Sequence, residues 1–141
     1  DLMVVNSETL QDNPALGKAL TGAWYEIMAT MSATTPAGIA AREHMAKASG
    51  TDLAGYESQL AVTKMFYYAK DAVAFANSPK LPATMSKVAE FSFSHGLLGE
   101  GAKSSDAIGM SFAKGITTGD KANLKLRFDP SYMQMAADGA L

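Results

Sequence analysis

Residues 12–32 read DNPALGKALTGAWYEIMATMS, and this stretch decides the fold class. Asp12-Asn13-Pro14 offers capping side chains and then a proline at the first helical position, where its missing N–H has no intrahelical partner to lose. Beyond it Leu16, Leu20, Ala23, Trp24, Ile27, Met28 and Met31 recur at steps of three and four. That spacing lays them along one face of a long helix directed at a core, and Trp24 is expected inside that core. Just upstream, Asn6-Ser7-Glu8-Thr9 supplies capping side chains for a short helical turn. Further upstream, Leu2-Met3-Val4-Val5 is an apolar run of the kind a buried strand needs, and it follows no starting methionine. The expectation is a strand cut from a longer protein.

Downstream of the long helix, Ser32 to Gly38 gathers Ser, Thr, Pro and Gly, which break or compete with helical hydrogen bonding, so the chain turns there. Ala37 to Ser49 is alanine-rich and predicts a second long helix, closed by Gly50 in the left-handed region. Thr51-Asp52 then caps a third, with Leu53, Tyr56 and Leu60 on one face. Met65-Phe66-Tyr67-Tyr68 is bulky and short and suits either a strand or an extended link. Asp71 to Asn77 predicts a brief helix, and Pro82 to His95 a longer one carrying Met85, Val88 and Phe91 and stopped by Gly96. Ile108, Met110 and Phe112 alternate with small or polar residues, as do Leu124, Leu126 and Phe128, and both patterns predict short strands. Asp129-Pro130-Ser131 opens a last helix through Tyr132, Met133 and Ala136. The fold class that follows is α/β and helix-dominated, with a few short strands and several helices, and the strands at the two ends of the chain are expected to meet in one sheet.

Composition narrows the functions. With 141 residues there is room for one domain with a real core, and a net charge of −2 with both signs scattered gives no basic stripe for nucleic acid. No cysteine is present, so disulfides, thiol nucleophiles and thiolate metal sites are excluded. Neither a signal peptide nor an apolar run of about 20 residues is present.

Motifs for chemistry are lacking. His44 stands beside Glu43, but neighbours on a helix point apart and no second histidine lies one turn away, so a solvated surface pair is expected rather than a metal site. His95 precedes Gly96 at a predicted helix end, where an imidazole satisfies free carbonyls. Gly96, Gly99 and Gly101 lack the Lys-Ser or Lys-Thr of a phosphate loop and read as a loop. No serine sits in a Gly-x-Ser-x-Gly elbow. Nine methionines at largely helical spacing read as core filling. No catalytic residue, metal ligand or cofactor is nominated, and a non-enzymatic role is expected.

A family resemblance rests on an ordered set of passages. Leu2-Met3-Val4-Val5-Asn6-Ser7-Glu8-Thr9-Leu10, then Asn13-Pro14-Ala15-Leu16 and Ala19-Leu20, then Ala23-Trp24-Tyr25-Glu26, and finally Leu126-Arg127-Phe128-Asp129-Pro130-Ser131-Tyr132, resemble the C-terminal portion of solute-binding proteins of ABC importers. The type is the nitrate, sulfonate and taurine one, and the variety most similar is that described as urea receptors. The resemblance covers nearly all of the chain. It implies part of a lobe of the type II periplasmic-binding-protein fold, a single domain over 1–141 within a larger two-lobed protein, a periplasmic location, and a ligand held between lobes. It also implies a membrane permease as partner and a small polar nitrogen- or sulfur-containing solute as ligand, with urea, nitrate, sulfonates and a thiamine precursor all open. Asn6 and Ser7 then lie where a hinge strand reaches the cleft, so that their side chains either face ligand or cap the turn. Self-association into a homo-oligomer is expected of such a portion, through exposed strand edges and apolar surface. The alternative from a different class is a free-standing helical adaptor that binds a protein partner through an apolar patch.

Overall fold

A computed structural model describes residues 3–141. It divides into two compact units, one running up to Asp71 and including Tyr132–Leu141, the other Ala72–Ser131.

The first unit is helical. Helix α1 (Ser7–Asp12) begins where the Asn6 side-chain oxygen accepts the Thr9 N–H at 3.1 Å. Helix α2 (Pro14–Ser32) opens on proline, and Asn13 makes no side-chain cap, so the fixed backbone of Pro14 rather than a capping hydrogen bond marks this start. Helices α3 (Pro36–Ala48) and α4 (Leu53–Ala61) are capped by Thr35, which accepts from Gly38 N at 3.3 Å, and by Asp52, which accepts from Gly55 N at 2.8 Å. Gly50, at φ 73°, ends α3 as the sequence predicts. Helices α1 to α4 pack in chain order, each on the next.

Arg42 ties three of them together. Its Nη1 donates to the Met31 and Ala33 carbonyls at 2.7 and 2.9 Å, satisfying oxygens that the end of α2 leaves without helical partners. Its Nε donates to Glu57 of α4 at 3.0 Å.

The apolar face of α2 is only partly covered. Gly17, Met28 and Met31 are buried, whereas Leu20, Trp24 and Ile27 are 37, 42 and 43% exposed. Trp24 is therefore not the core residue its position predicts. The periodicity does mark a helix, and Trp24 falls on the same side as Gly17, Met28 and Met31, with Leu20 and Ile27 at its edge, but the elements packed on α2 leave all three of these large side chains partly uncovered.

Helix α5 (Ala69–Ala76) follows an extended link at 64–67, which resolves the Met65–Tyr68 ambiguity against a strand. In the second unit, helix α6 (Leu81–Ser94) precedes a three-stranded sheet of β1 (Gly109–Ser111), β2 (Thr117–Thr118) and β3 (Leu124–Arg127); the last helix, α7 (Ser131–Ala137), belongs from Tyr132 on to the first unit. The strand order is β2-β1-β3, with β2 antiparallel and β3 parallel to the central β1. The core of this unit is Leu81, Met110 and Phe112, packed by Met85, Ala89 and Phe128. Thus the alternation of Met110 and Phe112 and that of Leu124 to Phe128 do mark strands, and the class is helix-dominated α/β with a small mixed sheet.

One expectation fails. Met3–Val5 form no strand, and Met3 and Val4 are 45 and 76% exposed, while Leu2 lies outside the described residues. Met3–Val5 take no part in the sheet, whose three strands all come from residues 109–127.

Candidate functional site

The parallel pairing of β1 and β3 aligns Met110 with Leu126 and Ser111 with Arg127, so both strands end side by side. Phe128 N donates to the Ser111 carbonyl at 2.8 Å and carries the pairing one residue further. There the Phe112 and Phe128 rings stack nearly parallel, with centroids 4.9 Å apart and an angle of 3° between planes. Beyond these strand ends lies an open depression of about 280 Å³, bounded by Ser111, Phe112, Arg127, Phe128, Asp129 and Pro130. The carboxyl ends of parallel strands are where open α/β sheets bind ligands, because the chain leaves the sheet there and polar groups from separate strands converge.

Its chemistry is that of recognition. Arg127 brings a planar, permanently charged donor, Asp129 a carboxylate and Ser111 a hydroxyl, around an aromatic floor. The Asp129 Oδ1 accepts the Ser131 N–H at 2.9 Å, which fixes the carboxylate as the chain turns toward α7. No histidine or cysteine borders the depression.

On the other side of Phe112 and Ala113 lies a second, smaller hollow. The loop that separates the two hollows joins β1 to β2 and is closed by Phe112 N donating to Ile116 O at 2.8 Å. At its tip Lys114 has φ 60° and Gly115 φ 72°. Lys114 is the one non-glycine with positive φ among the described residues. For a side chain with a Cβ this conformation costs roughly 1–2 kcal/mol.

The residues singled out in the sequence lie elsewhere. Asn6 and Ser7 belong to the first unit, where the Asn6 side chain caps α1, and neither borders the depression. Glu43 and His44 are both exposed on α3. At the end of α6, the His95 ring stacks on Phe91 with centroids 3.9 Å apart, and its Nδ1 lies 2.9 Å from the Phe91 carbonyl. That is the helix-end role its sequence position suggests. No group of acidic, histidine or cysteine side chains suited to a metal is present among the described residues. No helix among them is long and apolar enough to cross a membrane.

Compared with known proteins, the chain matches no family model, no curated protein and no solved structure.

Proposed function

We propose that this chain is a solute-binding component of an ABC importer, which holds a small polar nitrogen- or sulfur-containing solute for a membrane permease and does no chemistry on it. The observation that carries this reading is the depression beyond the ends of β1 and β3. Arg127, Asp129 and Ser111 stand there around two stacked rings, an arrangement with donors for an oxyanion or a carbonyl and acceptors for N–H groups. The resemblance supports it as well, since the passages that carry it coincide with the Asn6-capped turn, the Pro14-opened helix, the β3 strand and α7. On this reading the chain is one portion of a two-lobed periplasmic receptor of the type II binding-protein fold, and the depression is one wall of a site. An open wall binds weakly, so affinity in the millimolar range is expected of the chain alone.

The test is calorimetric titration with urea, nitrate and taurine at constant ionic strength. Saturable heat with one of them, lost in an Arg127→Gln, Asp129→Asn double variant, is the expected result. Absence of saturable heat with all three, or heat unchanged in that variant, would contradict the proposal.

A second reading has its own observation. The exposed Leu20, Trp24 and Ile27 on α2 form an uncharged stripe of the kind that covers itself with a protein surface, either an adaptor's partner or a second copy of this chain. Light scattering over a concentration series separates the two, because only self-association raises the mass of the purified chain.

A further inference from the structure

We draw no further inference here: the strongest candidate, the surface patch of exposed Val88, Phe91, Phe93 and Leu97 on the C-terminal half of α6 and the turn after it, carries nothing because nothing in the structure shows what covers it.

Discussion

Arg42 carries more of the first unit than any feature of the sequence around it announces. Its guanidinium satisfies two carbonyls at the end of α2 and reaches a carboxylate on α4, and hydrogen bonds involving a charged donor contribute about 1.5–3 kcal/mol. Arg42→Ala is expected to lower the free energy of urea unfolding by about 2 kcal/mol. Arg42→Lys should recover less than half of that loss, because an ammonium cannot reproduce the fork. Glu57→Gln should change little, since that end of the ion pair is exposed. Thr118 presents the opposite case. Its hydroxyl is buried without a hydrogen-bond partner among the described residues, so Thr118→Val removes an unsatisfied group at constant shape and is expected to raise the unfolding midpoint, by about 1 kcal/mol in stability. Tyr25 supplies a pH dependence. Burial raises its phenol above the ordinary value, so the folded state keeps a proton that the unfolded chain releases as pH climbs past about 10. Stability present below that pH is then lost through the folded-state value, and in Tyr25→Phe the alkaline loss should be smaller in a denaturation series from pH 9 to 12.

At the scale of elements, α2 carries two glycines with opposite demands. A Cβ on Gly17 would lie 2.5 Å from the Tyr132 ring, whereas one on Gly22 would meet only Leu141, at 3.8 Å. Alanine is a better helix former than glycine by about 1 kcal/mol, so Gly22→Ala should stabilise the chain. At Gly17 the collision outweighs that gain, and Gly17→Ala should lower the thermal midpoint unless Tyr132 is shortened as well, as a double-mutant cycle with Tyr132→Ala would show. Neither effect is legible in the sequence, because Gly17 and Tyr132 are brought together only by the docking of α7 on α2. What is legible is local. Asn6, Thr35 and Asp52 cap helices with side chains that reach three residues along the same chain. Two-residue β2 has no periodicity to read, and the run before Asn6 looked like a strand because apolar composition says nothing about whether a partner is present.

Across each unit the same distinction explains the candidate site. Ser111, Arg127 and Asp129 carry no motif, and only the parallel register of β1 with β3 sets them side by side. One signal was available in the sequence, the strict alternation of Leu124 to Phe128 running into Asp129-Pro130, which ends a strand in polar and turn-forming residues. Conversely Asn6 and Ser7 were prominent through resemblance, and the Asn6 side chain is used in capping. The stripe of Leu20, Trp24 and Ile27 belongs to this scale too. Its replacement by Leu20→Gln, Trp24→Gln and Ile27→Gln together should abolish any rise of mass with concentration in light scattering, with helicity retained.

The proposed recognition of a small polar solute at the ends of β1 and β3 is open to a direct test. Amide NMR during titration with urea, nitrate and taurine tests it residue by residue. The account predicts saturable shifts for one solute that gather at Ser111 to Ala113 and Arg127 to Asp129, while the α1 to α4 amides stay in place. Saturable shifts confined to other residues, or none with any of the three, would contradict it.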